Sequence, residues 1–374
     1  MGISRQIRIL QVVQSLDFGG LERVVINIVR NLDPSLFQCD VLCLRQAGRF
    51  ADELQSAGHL VHSFGIGRGK AFAVPRKLAS FIHDGGYDIV QTHDTTPLLY
   101  TAIAKLYYSN FQHVYTEHSG IYSCLPRHRF MTWLALLSTD YAVMVSKNLL
   151  SYYQNHFPLT KPEMSVIYNG LDFPAAPVNA RESVCDEFGI SQDAIIVGTA
   201  VRFYPQKGIR YLIKAIPIVL KVYPATRFLL VGDGVERPML EQMVEAAGIK
   251  EHVVFAGFRR DVARLVGAMD IYVLPSLWEG LPLALIEALI AKKAVVATSV
   301  GGNEEMIENG RTGYIVPPKK SDLLADRLVL LVGSKKLRSE FAENGSVYVK
   351  EHFTLAKMVE SYERLYSRMS GRSN

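Results

Sequence analysis

Short apolar segments alternate with longer amphipathic segments along the whole chain. In the first half the apolar segments are IRILQVVQ, CDVLCL, LVHSF, DIVQTH, HVYTEH and YAVMVS. Helix-length segments such as LERVVINIVRNL and FAVPRKLASFIHD lie between them. Strands that are apolar at consecutive positions are buried on both faces, which is typical of a parallel sheet covered by helices. The pattern therefore predicts βαβ units.

One stretch without strong periodicity interrupts this alternation. It is NGLDFPAAPVNARESV, residues 169–184, and its prolines and small residues predict a linker. The alternation then restarts with AIIVGTAVR, RFLLVGDG, HVVFAGF, DIYVLPS, AVVATSV and GYIVP. A length of 374 residues also favours two domains over one. We predict an α/β protein with two doubly wound, Rossmann-like domains, residues 1–173 and residues 174–354.

The chain ends in a further amphipathic segment, which predicts a helix from about Leu355 to Met369. Tyr362, Leu365 and Tyr366 give this helix an apolar face that must pack on another element. The sequence allows two partners for it. The helix packs on the second domain, or it crosses back and completes the first domain with residues 355–370.

Composition excludes several classes of protein. The net charge of +5 comes from 41 basic and 36 acidic side chains, and no basic run of the kind that binds nucleic acid occurs. Charges interrupt the apolar stretch of the N-terminal segment, which argues against a signal peptide. Gln6 stands where a myristoylation signal needs Ser or Thr, which argues against that modification. The cysteines form no Cys-x-x-Cys pair, which argues against zinc and predicts reduced thiols in a cytoplasmic protein; they are Cys39, Cys43, Cys124 and Cys185.

The familiar nucleotide-binding fingerprints fail in this chain. GDGVER has Arg237 where a dinucleotide-binding loop needs its third glycine, and GRGKAF has Ala71 where a P-loop needs Ser or Thr. No two aspartates are spaced as Asp-x-Asp, so the sequence predicts no metal clamp for a diphosphate. A bound diphosphate would be neutralised by backbone amides and basic side chains.

Two loops that follow predicted strands carry the features that such an anion needs. In QSLDFGGLERVV, Gly19 and Gly20 lead from a strand into a helix, where free amides point at a ligand. In TAVRFYPQKGIRYL, Arg202 ends a strand and Lys207 precedes the next helix. Ligands of doubly wound sheets bind beyond these strand ends. A plain tight turn and two solvated cations are the alternative interpretations.

The segment PSLWEGLPLALIEALIAKK, residues 275–293, predicts an anion site at the start of an apolar helix. Pro282 suits the first helical position, because its missing N–H costs no hydrogen bond there. The amides of Leu283 and Ala284 would then be unpaired and available to a diphosphate.

The same segment carries two glutamates eight positions apart. Glu287 is surrounded by apolar neighbours, and an isolated buried carboxylate is unfavourable, so we expect two ribose hydroxyls to satisfy it. Glu279, on the preceding loop, would do the same for a second sugar. The alternative is that Glu287 lies on a narrow exposed stripe and bonds water or Lys292.

One histidine of the first half follows a predicted strand. His118, in VYTEHSG, would face the ligand and could donate a hydrogen bond to a sugar hydroxyl or to the acceptor. His93, in QTHDTT, is its rival on the neighbouring strand. A core or surface role for His118 is the alternative.

These segments, in this order, resemble the retaining nucleotide-sugar glycosyltransferases of GT-B fold, glycosyltransferase family 4 (glycosyl transferases group 1). The resemblance covers almost the whole chain. It is strongest over residues 196–318 and weaker in FGGLERVV, VSKNLL and VIYNGLD. The spacing of Glu279 and Glu287 matches the Glu-x7-Glu motif of that family.

The resemblance implies a role for each matching residue. Glu279 would contact the donor sugar and Glu287 the ribose, while Phe258 and Arg259 in GFRRD stand where the nucleobase is held. The implied catalytic residues are His118, Arg202, Lys207 and Glu279. The implied donor-binding residues are Gly19, Gly20, Arg202, Lys207, Phe258, Arg259, Glu279, Gly280, Leu283, Ala284 and Glu287.

The resemblance also implies a reaction, a sugar moved from a nucleotide diphosphate sugar to a lipid-linked or oligosaccharide acceptor in cell-surface or exopolysaccharide biosynthesis. We expect no cofactor and no metal requirement, with Arg202, Lys207 and helix amides in place of a metal. CLPRHRFMTWLALL, residues 124–137, is either a peripheral contact with the inner face of a membrane or a core helix with a basic first turn. A nucleotide-sugar epimerase or phosphorylase on the same scaffold, and a non-catalytic binding protein, are the alternatives.

Overall fold

The chain folds into two units, each built on one parallel sheet. In the computed structural model, which describes residues 5–17, 19–67, 72–119, 126–158, 160 and 162–371, the chain divides into two units. The first unit contains Met1–Gly170 and Leu355–Asn374, and the second contains Leu171–Thr354. Cys124, Ala71 and the first residues of the predicted membrane-contact segment lie outside the described residues.

The first unit is built on a seven-stranded parallel sheet. Its strands are β1 (Ile7–Val13), β2 (Phe37–Cys43), β3 (Val61–Ser63), β4 (Ile89–His93), β5 (Gln112–Glu117), β6 (Tyr141–Met144) and β7 (Glu163–Val166). They lie in the order β3-β2-β1-β4-β5-β6-β7. Its helices are α1 (Gly20–Asn31), α2 (Ala51–Ser56), α3 (Val74–Gly85), α4 (Thr95–Ala104), α5 (Pro126–Leu136) and α6 (Lys147–His156).

The second unit repeats this architecture with a six-stranded parallel sheet in the order β10-β9-β8-β11-β12-β13. Its strands are β8 (Ile196–Ala200), β9 (Arg227–Val231), β10 (Val253–Gly257), β11 (Ile271–Leu274), β12 (Ala294–Thr298) and β13 (Tyr314–Val316). Its helices are α7 (Ala180–Phe188), α8 (Ile209–Val222), α9 (Arg237–Ala246), α10 (Val262–Ala268), α11 (Leu283–Ile290), α12 (Asn303–Met306), α13 (Ser321–Gly333) and α14 (Lys335–His352). The predicted α/β class is confirmed.

The strands are apolar without alternation because helices cover both faces of each sheet. Strands β4, β6, β11 and β12 are buried at every residue. Strand β7 was not predicted, because EMSV carries no apolar run and lies at the exposed edge of its sheet. Pattern-based prediction finds buried strands better than edge strands.

The last helix, α15 (Leu355–Met369), belongs to the first unit although it follows the second in sequence. It contacts α1, and its apolar face is buried at Met358, Tyr362, Leu365 and Tyr366. The ring of Tyr366 packs edge-on against Phe37 of β2, with 6.0 Å between ring centroids. This answers the question that the sequence left open about its packing partner.

Each sheet reverses its strand order at one point, which fixes where a ligand is expected. The reversal lies between β1 and β4 in the first unit and between β8 and β11 in the second. Helices that follow neighbouring strands on either side of such a point lie on opposite faces, so a crevice opens beyond the strand ends.

None of the helices in the described part of the chain has both the length and the hydrophobicity to span a membrane.

Candidate functional site

Three loops meet at the reversal point of the second sheet. They follow β8, β11 and β12, and comprise residues 201–208, 275–282 and 299–302. The amide of Leu277 donates to the carbonyl of Gln206 at 2.7 Å, which joins the first two loops. The amide of Gly302 donates to the carbonyl of Gly280 at 2.7 Å, which joins the second and third. The site is therefore a single hydrogen-bonded rim.

Two glycines permit this close approach of backbones. Gly208 has φ +61°, and a Cβ atom on it would lie 2.2 Å from the carbonyl oxygen of Pro275. Gly301 has φ +53°, and its Cβ would lie 2.0 Å from the carbonyl oxygen of Glu279. Any other residue at either position would separate the loops, because the obstacle is backbone rather than a flexible side chain.

Glu279 is the buried carboxylate of this rim, with 4% of its surface exposed. Its Oε1 atom accepts from Lys207 Nζ at 2.5 Å and from Ser276 Oγ at 2.6 Å. Gln206 Nε2 lies 3.4 Å from the other oxygen, Oε2, a distance too long for a strong bond. The carboxylate is thus fixed through Oε1, and Oε2 remains the better acceptor for a ligand hydroxyl.

The expectation that Glu287 is an isolated buried carboxylate was wrong. Glu287 is only partly buried, and with Ala284 and Ile290 it forms a partly exposed stripe along α11. Residues three apart share one face of a helix, so one stripe can be polar while the other faces are packed. Lys292, the partner considered for Glu287, donates instead to Glu343 at 2.7 Å. The buried carboxylate that needs a partner is Glu279.

The start of α11 also differs from the prediction by one residue. Pro282 has ψ 121° and precedes the helix as its N-cap, so Leu283 is the first helical residue. The physical reason is that its carbonyl accepts the first helical bond, from the amide of Leu285 at 3.1 Å. The amides of Leu283 and Ala284 are therefore the first two of the helix, which have no acceptor within it. The predicted anion site keeps its amides.

Both glutamates act on the same tyrosine. Tyr272 of β11 is buried, and its hydroxyl exchanges hydrogen bonds with the backbone of Ala200 at the end of β8. Burial raises the pKa of Tyr272, and the charges of Glu287 and Glu279 raise it further.

Three further side chains predicted for this unit are more exposed than that of Glu279. Arg202 is exposed, with its guanidinium carbon 5.3 Å from the centre of the Tyr204 ring. Arg259 directs its guanidinium at Asp261, at 2.9 Å, and at Glu187 of α7. Phe258 beside it is 50% exposed. The structure thus gives Arg259 a role in holding α7, and its nucleobase role stays a prediction.

The reversal point of the first sheet gathers a second polar cluster. Gly19 and Gly20 begin α1, as predicted, and Glu22 folds back over that start. A Cβ atom on Gly19 would lie 2.1 Å from Glu22 Oε2. A carboxylate is stabilised at a helix N-terminus, so Glu22 lies where the sequence predicts a diphosphate.

The two candidate histidines, His93 and His118, form a hydrogen bond with each other in this cluster. His93 Nδ1 lies 2.8 Å from His118 Nε2, and His93 Nε2 lies 2.7 Å from Gln11 Oε1. Burial lowers the pKa of His118 to about 3 and that of His93 well below its usual value. Both imidazoles are therefore neutral at physiological pH, so His118 provides hydrogen bonds rather than charge.

Asp94 is a further member of the cluster that the sequence did not single out. It precedes α4 with φ 64°, which is unusual for a residue other than glycine. Burial raises its pKa to about 8, with contributions from the charges of Glu117 and Glu22. Its Oδ1 atom is buried and has no hydrogen-bond partner. Asp94 is thus held mainly protonated at neutral pH.

Sequence analysis did not identify several other residues of the two clusters, and the reason is the same for each. Ser276, Gln206 and Gln11 are ordinary polar residues, and only the folded chain shows what they touch. Ser276 stands three positions before Glu279, a Ser-x-x-Glu spacing that could have indicated the contact. Within the described residues, no group of three or more His, Cys, Asp and Glu side chains is arranged to hold a metal ion.

Comparisons with known proteins agree with this geometry. The model described as glycosyltransferase family 4 matches residues 18–173, and the model described as glycosyl transferases group 1 matches residues 181–347. Together the two models cover most of the chain, one in each unit.

Named relatives are also glycosyltransferases. Alpha-D-kanosaminyltransferase of Streptomyces kanamyceticus is 28% identical over 197 residues, which are 52% of this chain and 51% of that protein, so the match spans about half of that relative. UDP-Gal:alpha-D-GlcNAc-diphosphoundecaprenol alpha-1,3-galactosyltransferase of Escherichia coli is 23% identical over 369 residues, 94% of each chain.

A solved structure shows the same fold. The crystal structure of Anabaena Alr3699/HepE in complex with UDP and glucose superposes with a TM-score of 0.85 and 23% identity, over 97% of this chain and 100% of that one. The predicted GT-B fold is confirmed.

Replacing Gly208 with alanine tests the close approach of the loops. We expect Gly208→Ala to lower the free energy of unfolding by about 3 kcal/mol, because it adds a backbone clash to the cost of a left-handed conformation. Urea-induced unfolding measures the change. Gly189→Ala is the matched control, since Gly189 has φ +63° with nothing within 4 Å of its Cβ position. It should cost about 1 kcal/mol. Equal losses would show that the loops are not held in contact.

Replacing Asp94 with asparagine tests its raised pKa. A pKa of about 8 in the fold, against the usual 3.8, stabilises the folded protein at low pH, and this stability is lost as pH rises toward 8. The asparagine cannot ionise, so Asp94→Asn should gain thermal stability over the parent as pH rises, with the melting-temperature difference growing between about pH 4 and pH 8. Groups that do not interact with Asp94 titrate equally in both proteins. A difference that is constant with pH contradicts the assignment.

Proposed function

Because the chain belongs to the glycosyltransferases of glycosyltransferase family 4 and glycosyl transferases group 1, we propose that it moves a sugar from a nucleotide diphosphate sugar to an acceptor with retention of configuration. The observation that carries this proposal is the buried Glu279, held by Lys207 and Ser276 beside the first amides of α11. It combines a sugar-hydroxyl acceptor with an anion site on one rim. The family matches favour transfer over the epimerase and phosphorylase alternatives.

The leaving diphosphate gains negative charge as the bond to the sugar breaks, and positive groups nearby lower the barrier. Lys207 and the amides of Leu283 and Ala284 border the same rim, and Arg202 stands exposed at its edge. Fixed donors and cations of this kind act as an oxyanion hole does in acyl transfer. We propose that they supply the stabilisation that a metal ion supplies in other enzymes.

The donor sugar and its ribose would be held by the two glutamates. Glu279 Oε2 is the less occupied oxygen of a fixed carboxylate, which suits a hydroxyl of the transferred sugar. Glu287 lies on the partly exposed stripe of α11, which suits the two hydroxyls of a ribose. A carboxylate accepts from adjacent hydroxyls without needing a partner of opposite charge. For His118, Gly19 and Gly20, which lie in the first unit, a role in donor binding stays a prediction.

The acceptor that we propose is a lipid-linked or oligosaccharide glycan in polysaccharide assembly. Support comes from the Escherichia coli relative, whose name describes a diphosphoundecaprenol-linked acceptor.

A surface of the first unit supports peripheral contact with a membrane. Exposed apolar residues lie on α4 and α5 and directly after each of these helices, which contact each other. They are Ile103, Leu106, Tyr107, Phe130, Met131, Leu134 and Leu137. Exposed Arg127 and Arg129 lie in the first turns of α5. A core helix would bury these side chains, whereas basic residues beside an exposed apolar patch suit an anionic lipid surface.

Removing the cations tests the proposed transfer. We expect Arg202→Ala and Lys207→Ala each to lower the rate of sugar transfer from a nucleotide diphosphate sugar by about 100-fold. Release of the nucleoside diphosphate, with acceptor present, measures the rate. Excess EDTA should leave the parent rate unchanged if the protein groups replace a metal.

The two variants differ in what else they disturb. Lys207→Ala also leaves Glu279 buried without its cation, so it should lose stability, whereas Arg202 is exposed and Arg202→Ala should fold as the parent does. Lys221→Ala, an exposed lysine at the far end of α8, is the control and should retain full activity. Undiminished transfer by folded Arg202→Ala and Lys207→Ala would refute the proposed anion site.

Vesicle binding tests the apolar surface. We expect the protein to sediment with vesicles that contain phosphatidylglycerol and much less with pure phosphatidylcholine, because both the apolar side chains and the arginines contribute. The double variant Phe130→Ser/Met131→Ser should lower the bound fraction at least threefold, since it removes two exposed side chains. Leu330→Ser, which alters an apolar residue that is 45% exposed on α13, is the control. Binding that is insensitive to Phe130 and Met131 removes this surface from the proposal.

A further inference from the structure

A chain of hydrogen bonds crosses the first unit from its last helix to His118. Tyr366 of α15 contacts Gln11 of β1, Gln11 contacts His93 at the end of β4, and His93 contacts His118 after β5. Gln11 Nε2 lies 3.1 Å from the Tyr366 hydroxyl, and Gln11 Oε1 lies 2.7 Å from His93 Nε2. His93 Nδ1 lies 2.8 Å from His118 Nε2. Gln11 and His93 are buried, so water does not compete for these bonds.

The donors and acceptors in this chain fix where the imidazole protons lie. A neutral imidazole has one N–H and one bare nitrogen. Gln11 Oε1 can only accept, so His93 must carry its proton on Nε2. His93 Nδ1 is then bare and can only accept, so the proton between the rings belongs to His118 Nε2. His118 Nδ1 is left bare.

The orientation of the Gln11 amide rests on its other neighbours. Gln11 Nε2 donates to the Tyr366 hydroxyl, which in turn donates to Gln91 Oε1, and Gln91 Nε2 donates to Thr116 Oγ1 at 2.8 Å. Reversing Gln11 alone would place its oxygen against Gln91 Oε1, where the nitrogen now lies at 3.5 Å. Two carbonyl oxygens repel at that distance, so Gln11 keeps this orientation as long as Gln91 keeps its own.

An independent observation concerns the bare nitrogen of His118. Among the described residues, His118 Nδ1 is buried and has no hydrogen-bond partner. An unsatisfied buried acceptor costs free energy, and buried polar atoms of this kind are rare. The network upstream therefore leaves a single unpaired acceptor at the end of the chain, beside the loops that follow β4 and β5.

We propose that His93 is a positioning residue that locks His118 in the Nε2–H tautomer, so that His118 can only accept, at Nδ1, a hydrogen bond from a substrate hydroxyl. This inference rests on the proposed function for the identity of the substrate. It reverses the sequence-based expectation that His118 donates. It also gives the last helix a part in the site, because Tyr366 orients the amide that sets the first proton.

Nitrogen-15 NMR of protein labelled at histidine tests the tautomer without any substrate. We expect the parent protein to show His118 and His93 both protonated at Nε2. His93→Asn places an amide oxygen where Nδ1 was and should keep the His118 tautomer. His93→Leu removes the acceptor and should change or mix it. Tyr366→Phe should shift or broaden the nitrogen resonances of His93, because the Gln11 amide loses its hydroxyl partner. The buried His113, whose Nε2 lies 3.0 Å from Thr92 Oγ1, is an internal reference that these changes should not move.

Kinetics then separates positioning from a purely structural role. We expect His93→Leu to reduce kcat/KM about tenfold, the effect of one lost hydrogen bond, while His93→Asn stays within about threefold of the parent. A structural role predicts instead that both variants lose activity in proportion to their loss of melting temperature.

The outcomes are distinguishable from failure of the proposed function. If the parent shows His118 protonated at Nδ1, or if His93→Asn behaves as His93→Leu in both measurements, the inference is overturned whatever reaction is catalysed. If the parent shows the Nε2–H tautomer but no sugar is transferred, the proposed function fails, while the proposal that His93 sets the His118 tautomer is retained. Should His93→Leu not fold, the parent spectrum and His93→Asn still decide.

Discussion

A single carboxylate at a loop junction sets the requirements for the second unit. Glu279 is buried where three loops meet, and a buried charge is tolerated only with partners of matching geometry. Lys207 and Ser276 arrive from two of those loops, and the backbone positions that allow this are glycines at 208 and 301. The stability of the rim and its capacity to bind a ligand therefore depend on the same contacts.

The first unit meets a similar requirement with neutral groups instead of an ion pair. Its buried polar side chains end in His93, His118 and a protonated Asp94 rather than in lysine or arginine. In a buried environment, neutral imidazoles and a protonated carboxyl cost less than isolated charges. His93, His118 and Asp94 thus contribute directed hydrogen bonds without charge, beside the charged carboxylates of Glu22 and Glu117. In the second unit, by contrast, the rim holds the ion pair of Lys207 and Glu279.

Much of the fold could be read from the sequence, because burial on both faces of a parallel sheet leaves a continuous apolar run. The twelve strands with such runs were predicted, and β7 was not, because EMSV at the sheet edge needs no apolar face. The site was harder. The sequence named Glu279, Lys207 and His118, but it expected the buried carboxylate to be Glu287, because the sequence of a mostly apolar helix does not show which stripe of α11 is left partly exposed.

Three features could be predicted from the amino-acid sequence: the α/β class, the two successive doubly wound units and the strand ends at which polar residues accumulate. These follow from the spacing of apolar residues, which is a local property of the chain. Three others became visible in the folded chain: α15 returns to the first unit, Ser276 and Lys207 share one oxygen of Glu279, and His93 faces His118. Such pairings join residues on separate loops or strands, and the distance between their atoms is set by packing rather than by position along the chain.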